Sequence, residues 1–226
     1  MTGLAGWDSR SRLDSILSKM LPRLTSEFVE RALLEKVWDV GNRVLYDLCA
    51  ANREHTRDDV IIAKIWLIGR TYAAAIERRR DKGDAVGDAF YETKVAPQIR
   101  DSNIDKWFVA LDTGANEDIA LNLETHKRVM DLFTLISGLE KRSLASKYLH
   151  FHFPSRFYIY DSRAYNAISE LTEPIGRKFS PLRECDDVYA RFSLRCRDLN
   201  QRIDSLAGRH LSPREFDKVL LAYGRL

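Results

Sequence analysis

Apolar residues recur at three- and four-residue spacing along almost the whole chain, and no convincing run of alternating, β-branched sequence interrupts them. That periodicity predicts an all-α protein. The expected helices cover 9–20, 26–50, 58–80, 87–99, 103–112, 117–137, 143–152, 162–171, 186–206 and 213–223. The last has the clearest start: Ser212 can cap, Pro213 suits the first helical position, and Glu215 completes a capping box. Its Phe216, Val219, Leu220 and Tyr223 then form one buried stripe. The expected helix over 58–80 is apolar around more than half of its circumference, which places it centrally, with Arg70 in mid-helix.

With 226 residues and 45% apolar side chains, the chain can bury a substantial core. It reads as a single compact unit over 1–226, with possible lobes formed by 1–85 together with 172–226 and by 86–171. No internal repeat appears. No run approaches 18 apolar residues and the N-terminus lacks the order of a signal peptide, so no membrane partner is expected. Cys49, Cys185 and Cys196 form no close pair, which suits a reducing compartment and a cytoplasmic location. A net charge of +3 supplies no global basic field, so affinity for nucleic acid has to come from local clusters such as Arg191, Arg195, Arg197 and Arg202.

Metal chemistry has little support. His150 and His152 are two residues apart on an expected helix and point roughly 200° away from each other. Neither a glycine-rich phosphate loop nor a nucleophile elbow occurs. The informative segment is 136–166, ISGLEKRSLASKYLHFHFPSRFYIYDSRAYN. A helix ends at Gly138, a basic turn carries Lys141 and Arg142, and a second helix begins at Ser143. A loop with Pro154 and a short extended piece, Phe157 to Tyr160, then lead to Asp161, which opens another helix. Two helices joined by a tight turn present backbone N–H groups suited to gripping a phosphate. Taken alone, Asp161 reads as an ordinary N-cap, a role that uses one carboxylate oxygen and leaves the other free.

This order of elements resembles the helix-hairpin-helix superfamily of DNA glycosylases. Gly138, Ser143, Ala145 with Ser146, and Ile159-Tyr160-Asp161-Ser162 stand where that family has its hairpin glycine, its lysine or serine, its small pair and its segment ending in an essential aspartate. The sequence departs from the family pattern at Ser137 and Glu140, where proline and glycine are usual. The resemblance implies a compact, two-lobed helical fold with a central cleft, acting without a cofactor as a monomer on double-stranded DNA that carries a modified or mismatched base. An iron–sulfur cluster, present in some relatives, lacks the four grouped cysteines it needs.

Asp161 takes the catalytic position of the resemblance, stabilising positive charge on the sugar as the base leaves. Ser143, in place of a Schiff-base lysine, implies a monofunctional enzyme that uses water and leaves an abasic site. Lys147, one turn further on, would restore lyase chemistry if the register were shifted by four residues. The expected base pocket comprises Trp66, Arg70, Tyr72, Tyr158 and Tyr160, and the expected DNA contacts are Gly138, Lys141, Arg142, Ser143, Lys147 and Arg163. Some helical glycosylases act against phage DNA with bulky modified cytosines, which the resemblance extends to this chain as a defence role. A noncatalytic module binding nucleic acid or protein is the competing expectation.

Overall fold

The structure is a computed structural model that describes residues 24–78, 87–175 and 184–225, and among these every regular element is helical. In chain order the helices are α1 (Ser26–Leu33), α2 (Asp39–Ala51) and α3 (Asp58–Thr71). Next comes α4, built from Asp88–Phe90, a π-helical turn Tyr91–Val95 and Ala96–Arg100. They are followed by α5 (Ile104–Thr113), α6 (Ile119–Ser137), α7 (Arg142–His152), α8 (Ser162–Leu171), α9 (Asp187–Ala207) and α10 (Pro213–Tyr223). The helix expected over 9–20 lies outside the described residues. No helix among the described residues is long and apolar enough to cross a membrane.

Where the sequence carries caps, the helix starts follow them. Asp118, Asp161, Asp186 and Ser212 each accept a backbone N–H of the first turn, and at α10 the capping box with Glu215 is complete. Gly138 ends α6 in the left-handed conformation at φ 73°, which a side chain would disfavour. The stripe Phe216, Val219, Leu220 and Tyr223 is buried as expected.

The buried apolar residues form two clusters. The first draws on α2 to α7, from Leu45 to Phe157, and includes Ile61, Ile65 and Ile68 of α3, each fully buried. The second joins α1, α8, α9 and α10, with Leu123 from α6. This division differs from the expected lobes. Helices α2 and α3 pack with the middle of the chain rather than with the C-terminal segment, and α8 packs on α9 and α10.

The same division explains why the helix expected over 26–50 is two. Phe28, Val29 and Ala32 belong to the second core, whereas Leu45 and Cys49 belong to the first. Burying one large apolar side chain is worth about 2 kcal/mol, more than the helix propensity of the intervening residues, so the chain breaks to serve both cores.

The expected helix over 58–80 also stops early, at Thr71. Ala73 adopts φ 51°, and the chain folds back so that the Ala74 N–H donates to the Gly69 carbonyl at 2.7 Å. A Cβ on Gly69 would lie 3.0 Å from the Ala75 Cα, so glycine is what permits the close return. This turn delivers Tyr72 to Ala75 to the wall of a large cavity.

Candidate active site around Asp161

The cavity has a volume of about 1020 Å³ and opens between the two cores. Its walls come from the start of α2, the turn after α3, the start of α7, the start of α8 and one face of α10. Asp161 sits on this wall because the extended segment before it is pinned to α7. His150 Nδ1 donates to the Phe157 carbonyl at 2.9 Å, and the Tyr160 N–H donates to Ser146 Oγ at 3.0 Å.

The carboxylate of Asp161 is divided between two tasks. Oδ1 accepts the Ala164 N–H at 3.0 Å and caps α8, while Oδ2 lies 3.5 Å from Lys147 Nζ. Lys147 is 1% exposed, and its ammonium donates to Ser143 Oγ at 2.9 Å and to the Tyr72 carbonyl at 3.4 Å. Its Nζ also stands 5.5 Å from the centre of the Tyr72 ring. Burial pulls the Lys147 pKa below its ordinary value, against the opposing pull of Asp161 and Asp217. An amine so placed is closer to its neutral, nucleophilic form than a surface lysine is.

Of the residues expected from sequence, Tyr72, Lys141, Ser143, Lys147, Tyr160, Asp161 and Arg163 line this one cavity. Several others do not. Trp66 is 43% exposed on the outer face of α3, and Arg70 pairs with Glu77 and lies over the Trp66 ring, so neither reaches the cavity. Tyr158 packs edge-on against Phe216 at 5.3 Å in the second core.

Arg142 is held by Asp186, with Nη2 2.9 Å from Oδ1 and Nε on the other oxygen, so it ties α7 to the start of α9. Gly138 shapes the turn before α7 without lining the cavity. In the basic stretch of α9, Arg195 serves the Ile168 and Thr172 carbonyls and Arg202 pairs with Asp198. His150 is a core residue and His152 is half-buried against Phe108 and Tyr148; burial drives both pKa values down, that of His150 to about 4.

Sequence reasoning missed Trp38, Asn42, the turn Ala73 to Ala75, Arg214 and Asp217, all on the cavity wall. Burial pushes the Asp217 carboxyl up to about 6; Arg214 and Lys147 pull it down and Asp161 pushes it up. Burial also moves the Tyr72 hydroxyl up to about 12. Only Gly69, in a run of otherwise bulky residues, hinted at the turn. Arg78, Lys141, Lys147, Arg163 and Arg214 outnumber Asp161, Asp217 and Glu140 on the lining, which suits an anionic ligand. Comparison with family models, curated proteins and solved structures returned no match for this chain.

Proposed function

We propose that this protein is a DNA glycosylase: a nucleotide extruded from a duplex enters the cavity, and Asp161 stabilises the charge that builds on its deoxyribose as the base departs. The observation that carries this reading is the divided carboxylate. One oxygen is fixed by the α8 cap, so the other is held rigidly at the cavity wall with no reorganisation required when positive charge develops. A cavity of about 1020 Å³ has room for a whole nucleotide, and the exposed Arg163 on its wall offers a cation to a flanking phosphate.

In the hydrolytic route, water attacks C1′ as the C1′–N bond breaks, the electron pair of that bond leaves with the base, and the proton lost from the water passes to Asp161 and from there to the departing base. The position of Lys147 favours a second route. Its buried amine is within 3.5 Å of Asp161, and Ser143, expected in the nucleophile's place, instead accepts a hydrogen bond from it. In this route the neutral amine donates its lone pair to C1′, the base leaves with the glycosidic electrons, and the amine's proton passes to the departing base. Ring opening then gives an imine, from which the 3′ phosphate is eliminated.

One assay distinguishes these routes from simple binding. The full chain is incubated with duplexes that each carry one modified or mismatched base, glucosylated hydroxymethylcytosine among them, with and without alkali and with sodium borohydride. Strand breaks only after alkali indicate the hydrolytic route. Breaks without alkali, together with a borohydride-trapped adduct lost in Lys147→Ala, indicate the amine route. DNA retained without any break, across the whole panel, indicates a noncatalytic binding module and refutes the proposal.

A further inference from the structure

The cavity has a second polar pole that the chemistry at Asp161 does not use. Asp217 and Arg214 come from α10 and Asn42 from α2, and all three line the wall. Arg214 Nη1 donates to Asp217 Oδ2 at 2.5 Å. Among the described residues, the other Asp217 oxygen has no hydrogen-bond partner. Asn42 is 4% exposed; the Tyr72 hydroxyl satisfies one end of its amide at 2.7 Å, and Nδ2 at the other end has no partner. Arg214 Nε is buried and unpartnered as well. Buried donors without acceptors are rare because they forfeit their hydration, and two of them here belong to residues that line the cavity.

We propose that Asp217, held by Arg214, and Asn42 form the specificity-determining edge of this cavity, and that the edge selects a guanine-type base. Such a base presents an N1–H and an N2 amino group side by side for the carboxylate, and beside them an O6 carbonyl for the Asn42 amide. The other bases mismatch it. Adenine and cytosine offer a single amino group next to an acceptor nitrogen, which would meet carboxylate lone pairs. Uracil and thymine offer one N–H between two carbonyl oxygens. The pairing of Asp217 with Arg214 fixes the carboxylate plane and leaves the other oxygen without a partner among the described residues.

The inference rests on the proposed function only in taking the cavity's occupant to be a nucleobase. It is tested by calorimetric titration of the full chain with guanosine, adenosine, cytidine and uridine, and of the Asp217→Asn and Asn42→Asp variants, with melting curves to verify folding. Guanosine should bind at least 10-fold more tightly than the others. Asp217→Asn should erase that preference, and Asn42→Asp should weaken guanosine about 10-fold by turning an acceptor toward O6. If Asp217→Asn does not fold, Asn42→Asp carries the test.

Equal binding of the four nucleosides, no binding of any, or a guanosine preference that survives both substitutions overturns the inference. Release of some other base from duplex DNA would overturn it while leaving glycosylase action intact. Guanosine selectivity without base release from any duplex would support it while sinking the glycosylase proposal.

Discussion

Asp161 serves the fold with one oxygen and the cavity with the other, and a single substitution separates the two services. Asn caps a helix about as well as Asp, so Asp161→Asn should cost less than about 1 kcal/mol of stability. A neutral amide cannot balance a cationic sugar, so base release should fall by about 100-fold or more. Melting curves and an alkaline-cleavage assay on the same preparation check both halves; equal activity in the variant would remove Asp161 from the chemistry. Asp161 was legible because the signals around it are local: a helix end, a turn, an extended piece and a cap, all within 136–166. Lys147 was visible as a residue but not as an occupant of the cavity, since its amine's position depends on the turn after α3, contributed by Tyr72. Asp217 and Asn42 carried no local signal at all, because helices distant in sequence bring them to the same wall.

At the scale of elements, the start of α7 is fixed less by its own sequence than by what Arg142 reaches. Asp186 caps α9 through the Tyr189 N–H at 3.1 Å and binds Arg142 with both oxygens, so one buried carboxylate joins two helix starts. Arg142→Ala leaves that carboxylate without its countercharge and should lower stability by about 2 to 4 kcal/mol. Urea denaturation would measure it; a variant of unchanged stability but weaker DNA binding would restore Arg142 to the role expected of it from sequence. Elements with caps written into them, such as α8 and α10, begin and end where periodicity places them. The break between α1 and α2 falls at Leu34 to Trp38, where no glycine or proline announces it. It exists because the two flanking apolar faces belong to different cores, which is a property of the folded whole and not of the segment.

For the molecule as a whole, four imidazoles set the response to acid. Burial holds the pKa of His55 at about 4, His126 at about 3 and His150 at about 4, and drives that of His152 well below its usual value. His55 stays neutral despite facing Asp105: its Nδ1–H donates to Oδ1 at 2.5 Å and its Nε2 accepts from the Tyr148 hydroxyl at 2.6 Å, while burial and Lys64 outweigh the carboxylate. Each ring is uncharged in the fold and protonates in the unfolded chain at its ordinary pKa near 6.5. Unfolding therefore takes up protons below that pH; stability is intact above it and is lost as pH falls toward about 4, with a slope of about 4 to 5 kcal/mol per pH unit near pH 5. Asp217, with its carboxyl raised, works in the opposite sense between about 4 and 6, and one carboxyl does not offset four imidazoles. Thermal melts from pH 7.5 to 4.5 should show the fall; a flat melting temperature would mean that the rings are already charged in the native state.

Leu123 apart, the chain passes from the second core to the first between Ala32 and Leu45, and back again between Phe157 and Ala164. Trp38 and Asn42 lie on the first crossing, and Tyr160, Asp161, Ser162 and Arg163 on the second. The exposed residues of this seam, Trp38, Ser162 and Arg163, owe little to the interior of either half, so their exchange for other shapes would perturb neither. A scaffold arranged this way can change what it admits over evolutionary time more readily than it can change its own architecture.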